Sequence, residues 1–142
     1  MKYMLIMRTP EMVEMPEDVD FTEVINAMGA YNESLIKAGV LLAGEGLAPP
    51  DEGFVVDFDA TPPVVTDGPY AEAKELFNGF WMIQTSTKEE AAEWAKRCPL
   101  GPGMRLEVRR VNETEEFDQD NEYVQKEHEW REQLGTDRPV QG

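Results

Sequence analysis

The sequence lacks most of what marks the common catalytic machineries. It has a single cysteine, Cys98, so no disulfide forms within the chain and no thiolate set is available for zinc. It has a single histidine, His128, which lies in an acidic C-terminal stretch. Proton transfer by imidazole is therefore unavailable to the body of the chain. Basic residues are scarce: 13 Lys and Arg stand against 29 Asp and Glu, a formal net charge of −16. Such a chain repels phosphate backbones and anionic lipid surfaces, which excludes nucleic acid and membrane as partners. Arg105, Arg109 and Arg110 make the only basic cluster near a strand, and it is small. Long hydrophobic runs are missing too. The apolar run Tyr3 to Met7 is too short for a signal-peptide core or a membrane span. No phosphate loop, dinucleotide fingerprint, zinc spacing or serine elbow occurs, so no cofactor is expected. A reducing, cytoplasmic setting is the simplest reading.

What is present is a pattern of strands and helices. Lys2 to Arg8 is apolar on both faces of a strand, with Tyr3, Leu5 and Met7 on one side and Met4 and Ile6 on the other. After a loop through Pro16, Asp20 and Glu23 resemble a capping box, although Pro16 offers a start one turn earlier. Phe21, Val24, Ile25, Met28, Tyr31, Leu35 and Ile36 recur at helical spacing, and Gly39 is a natural stop. Gly29 in mid-helix either permits a close backbone contact or is simply tolerated. Val40 to Leu47 predicts a strand. Gly53 to Phe58 and Val64 to Thr66 predict a hairpin. Asp67-Gly68-Pro69 punctuates the chain, and Tyr70 to Glu75 reads as a short helix. Phe77 to Thr85 is the second strand apolar on both faces. Thr87 with Glu90 caps a helix that Pro99 ends, and Arg105 to Val111 is the last strand. From Asn112 the composition turns acidic, with a helix expected between Asp120 and Leu134. The division is thus a domain over residues 1–111 and a partly helical extension over 112–142.

The order strand, helix, strand, strand, helix, strand, with an inserted hairpin, is the α+β, ferredoxin-like βαββαβ pattern. That topology places its first and third principal strands centrally, and these are the two doubly apolar runs. Asp67-Gly68-Pro69-Tyr70, Ala71 to Glu75 and Gly79-Phe80-Trp81 resemble the DGPF motif of the YCII-related proteins. Ala38 to Leu47, and Pro99 to Gly103 followed by Leu106 to Arg109, add two matching blocks. The resemblance implies a dimeric α+β barrel. The residues argue the same way: two helices cover one face of the sheet, and the other would expose parts of Tyr3, Leu5, Met4, Ile6 and Phe80 to Ile83, depending on register. A homodimer is expected, the alternative cover being the C-terminal helix folded back.

Function is less legible. Asp67 is either a general acid or base in a cleft or a turn residue held by backbone N–H groups, and its place before Gly-Pro favours the turn. Glu45, between Gly44 and Gly46 at a strand end, either lines a pocket or is a solvated bend. Arg109 and Glu107 either hold an anionic ligand or pair with each other, the pairing being favoured. The ligand-binding candidates are therefore Glu45, Asp67, Tyr70 and Arg109. Some YCII-related proteins carry a His on the first helix, suggested to pair with an Asp, but the corresponding helix here offers Met28, Gly29 and Tyr31. Cys98, at a helix C-terminus where the dipole raises a thiol pKa, reads as packing. The expectation is a dimeric protein that binds a small molecule. The alternative is a cofactor-independent lyase, isomerase or dehalogenase using Asp67 or Glu45. A third reading has the acidic tail, through Tyr123 and Trp130, clasping a partner subunit or recruiting a basic protein.

Overall fold

A computed structural model describes residues 1–10, 20–68 and 75–135. The elements in order are β1 (Lys2–Pro10), α1 (Phe21–Lys37), β2 (Leu41–Gly46), β3 (Phe54–Asp57), β4 (Val64–Asp67), β5 (Glu75–Gln84), α2 (Lys88–Lys96), β6 (Arg105–Arg110) and α3 (Glu122–Leu134). The main sheet is antiparallel, in the order β2-β5-β1-β6, and β3 and β4 form a separate hairpin. The two doubly apolar runs are its central strands, as their burial requires. The architecture is the α+β, ferredoxin-like one with an inserted hairpin.

Local chemistry sets the boundaries. Asp20 caps α1 by accepting from the Thr22 N–H at 2.9 Å, so the helix starts at Phe21. Gly39 follows it with φ of 73°, a conformation a side chain would strain. Thr87 Oγ1 accepts from the Glu90 N–H at 3.1 Å, and the Glu90 carboxylate reaches back to the Ser86 N–H at 3.0 Å. Several expectations need correction. β2 is shorter than Val40 to Leu47, because Val40 N–H still bonds the Leu35 carbonyl of the helix end. Glu75 belongs to β5, not to a helix, because it pairs with Pro10. The rest of the stretch assigned to that helix, and Pro16, lie outside the described residues. Gly29 serves no close contact, since a methyl group there would have no heavy atom within 4 Å.

Register separates the two sheet faces. Tyr3 lies opposite Ile83, and Leu5 opposite Trp81 and Val108. Tyr3, Ile83, Leu5 and Trp81 point toward the helices and join Tyr31, Leu35, Val40 and Ala91 in the core, while Val108 on the edge strand stays exposed. Leu5, Leu35 and Ile83 are its fully buried large side chains. Tyr31 packs edge-on against Trp81, ring centroids 5.6 Å apart, and donates its hydroxyl to the Trp94 carbonyl at 2.8 Å. One side chain thereby ties α1 to both the sheet and α2.

The opposite face carries Met4, Ile6, Phe80 and Met82. Ile6 is buried while the other three are partly so, and Phe77 is 43% exposed. The extension reaches this face at one end. Arg110 grips Glu116 through two bonds of 2.6 and 2.7 Å, and Thr114 is buried. Arg131 and Gly135 then line a depression of about 330 Å³ with Lys2, Leu42, Ala43 and Met82. The described part of the tail thus borders the Lys2 end of the face, and Phe77 at the other end stays partly exposed. The hairpin adds a second bare surface. Phe54, Val56 and Val65 share one of its faces, and Phe54 and Val65 are 66% and 60% exposed.

Candidate functional site

At the other end of the sheet three glycines fall on the helix-facing side. Gly44 pairs with Trp81, Gly46 pairs with Gly79, and Gly79 pairs in turn with Met7. Side chains are therefore missing where α1 passes over β2 and β5. The gap is a cleft of about 280 Å³ lined by Met7, Met28, Asn32 and Trp81, with the three glycines as floor. A methyl group on Gly44 would come within 3.1 Å of Trp81 Cδ1, and one on Gly79 within 3.0 Å of the Glu45 carbonyl oxygen. Both positions require close approach. Gly46 differs, for nothing lies within 4 Å of where its methyl would sit.

The polar group of the cleft is Asn32. Its Oδ1 accepts from the Trp81 indole N–H at 2.7 Å. An indole nitrogen only donates, so this bond fixes which end of the carboxamide is oxygen.

The four sequence candidates are not brought together. Glu45 borders the cleft, but it is exposed, and strand alternation directs its carboxylate to the face opposite Gly44 and Gly46. Asp67 ends β4 opposite Phe54, is exposed and does not line the cleft. Tyr70 lies outside the described residues. Arg109 sits on β6 opposite Met4, on the same face as the Glu45 carboxylate but three strand spacings away, about 14 Å. The expected Arg109–Glu107 pair is not formed. Glu107 instead meets Arg8 on the neighbouring strand at 3.4 Å, and Arg8 also holds Glu75 at 2.7 Å. Arg8 stands diagonally across from Glu107, within reach of a long side chain, and so takes the carboxylate that the along-strand spacing offered to Arg109. His128 bonds Gln119 at 3.0 Å within the tail. Among the described residues no group of three His, Cys, Asp or Glu is placed to hold a metal, and no helix is long and apolar enough to cross a membrane.

The perturbed groups near the helices are structural. Burial is the first cause that pushes the Tyr31 hydroxyl up, and burial pushes the Cys98 thiol to about 11. The direction expected for Cys98 holds, but the cause is desolvation rather than the helix dipole.

A family model described as the YCII-related domain matches residues 1–115. The chain belongs to that family. A protein of Rhizobium meliloti (strain 1021), described as uncharacterised, is 30% identical to this chain over 73 residues. That stretch is 51% of this chain and 59% of the relative, so under two thirds of the relative's length is spanned. The YCII-related region ends inside the Thr114–Glu116 turn, and α3 lies beyond it.

The residues that shape the cleft were missed as a site. Trp81 and Met28 read as core, and Asn32 carried no motif. The available signal was Gly44 and Gly46 two apart in one strand, which leaves one face of that strand without side chains.

Proposed function

We propose that this YCII-related domain binds a small, mostly apolar molecule in the cleft beneath α1, working in the cytoplasm as a homodimer. The glycine floor supports the binding reading above all. Two of those glycines are held against their neighbours, and the third leaves space that no side chain among the described residues uses. Thioether and aromatic walls with one oriented amide fit the usual make-up of a ligand site. The volume lies at the small end of such sites. An acid–base enzyme would need Glu45 or Asp67 at the reacting atoms. With one carboxylate directed to the opposite face and the other on the hairpin, binding is the better-supported reading. The dimer rests on the partly exposed Met4, Phe80, Met82 and Phe77, together with the bare hairpin face, more apolar surface than a monomer ordinarily leaves to water.

The test of binding is a plug. Gly46→Leu fills the cleft without touching a carboxylate. Ligands that raise the melting temperature of the wild type should leave the variant unmoved. A ligand that stabilises both proteins equally binds elsewhere and removes the cleft from the reading. The dimer is tested by sedimentation equilibrium at micromolar concentration, where a single species of 16 kDa would refute it.

A further inference from the structure

We infer that the cleft selects neutral molecules bearing a hydrogen-bond acceptor, such as a ketone, ester or amide carbonyl on an apolar body, and that Asn32 is the residue that selects them. The inference rests on the binding reading above and concerns what that same site takes.

Trp81, whose indole borders the cleft, is only 8% exposed. Leaving its N–H unpaired would carry a desolvation penalty. Asn32 Oδ1 meets it at 2.7 Å. The reverse orientation would set two donors against each other, so the amide cannot flip without losing the bond. One of the oxygen's two lone pairs is thereby engaged. The NH₂ group keeps both its donors for the cleft, since it makes no hydrogen bond among the described residues.

The other side chains around the space offer little to compete. Met7 and Met28 present thioethers, which are weak acceptors, and the glycines present none. The Glu45 carboxylate points to the other side of the sheet. A bound molecule that brought only donors would have to share the Asn32 oxygen with the indole or meet sulfur. One that brought an acceptor would meet the Asn32 NH₂. Charge acts in a second way: at −16 the chain disfavours a carboxylate ligand by long-range repulsion, although a carboxylate is itself an acceptor. A neutral carbonyl satisfies both conditions. A cleft of about 280 Å³ has room for a molecule built on a single ring.

Four compounds of that size and one common shape separate the possibilities: acetophenone (neutral acceptor), 1-phenylethylamine (cationic donor), isopropylbenzene (no polar group) and benzoate (anionic acceptor). Titration calorimetry should show acetophenone binding the wild type at least tenfold tighter than each of the other three. Benzoate should gain on it as salt is raised. In ¹⁵N-labelled protein, the Asn32 side-chain NH₂ signals should move on adding acetophenone. Asn32→Asp keeps an acceptor for the indole and removes the donor, so its preference should invert toward 1-phenylethylamine. If that variant loses its fold by circular dichroism, the wild-type ranking and the Asn32 signals decide alone. Isopropylbenzene matching acetophenone, or a folded Asn32→Asp that keeps the wild-type order, overturns the selection while leaving the binding site intact. No binding by any of the four up to millimolar concentration, with Gly46→Leu also without effect in a wider ligand screen, ends the binding reading and this inference together.

Discussion

Replacing Gly46 by alanine should make the protein more stable. A residue added in a strand ordinarily meets neighbours, but the Gly46 methyl would enter the cleft with no heavy atom within 4 Å. The position also has no left-handed backbone to protect, unlike Gly68 and Gly103 with φ of 87° and 86°. The remaining effect is on the unfolded chain, which loses conformational freedom, and that stabilises by about 0.4–1 kcal/mol. For a chain of this length the melting temperature should rise by roughly 1–4 °C. Gly79→Ala is the internal control. Its methyl would sit 3.0 Å from the Glu45 carbonyl oxygen and 3.4 Å from Met7 Cε. The carbonyl belongs to the paired strand β2 and cannot retreat without breaking the ladder, so a loss of about 1–3 kcal/mol is expected. Urea unfolding of the two variants beside the wild type measures both. Gly46→Ala falling in stability alongside Gly79→Ala would mean that the space above Gly46 is filled in solution, and the cleft would lose its floor.

Tyr31→Phe removes the hydroxyl bonded to the Trp94 carbonyl and should cost about 0.5–1.5 kcal/mol in urea unfolding with the far-ultraviolet spectrum unchanged; no change at all would mean that water replaces the contact. The grip on the extension should fail in acid. Arg110 is the main reason the Glu116 carboxyl sits at about 2 rather than 4.5. A depressed carboxyl stabilises above its unfolded value and loses that contribution as pH falls through the folded one, so amide protection over 113–118, taken relative to the unstructured chain at each pH, should fall between pH 4.5 and 2 and be flat above it. A fall already between pH 7 and 5 would refute this assignment. With its pKa near 11 and partial burial, native Cys98 should react slowly with a disulfide reagent at pH 8 and quickly after unfolding in urea. Equal rates in the two states would show the thiol to be accessible and ionised.

The fold was legible because its signals are local and periodic. Runs apolar on both faces can only be central strands, and Asp20, Gly39, Thr87 and Pro99 punctuate helices through their own backbone chemistry. The cleft was not legible in the same way. It arises from Gly44, Gly46 and Gly79 meeting across two strands, and the pairing that aligns them depends on register. Asn32 is one polar residue among several on α1, and nothing in its neighbours tells that an indole from β5 will claim its oxygen. Glu45 drew attention because glycines flank it, yet those glycines matter for the face that Glu45 does not use. The Arg109–Glu107 expectation failed because it considered one strand alone: Arg8, on the neighbouring strand, reaches Glu107 across the diagonal.

Residues 31 and 32, adjacent in α1, are stapled to different layers, one to the backbone of α2 and the other to an indole of the sheet. The helix cannot lift as a flap over the cavity below it without breaking both staples at once. A visiting molecule therefore meets a doorway already cut to shape. In stopped-flow mixing the observed rate should climb in proportion to ligand concentration, with no plateau from a slow opening step.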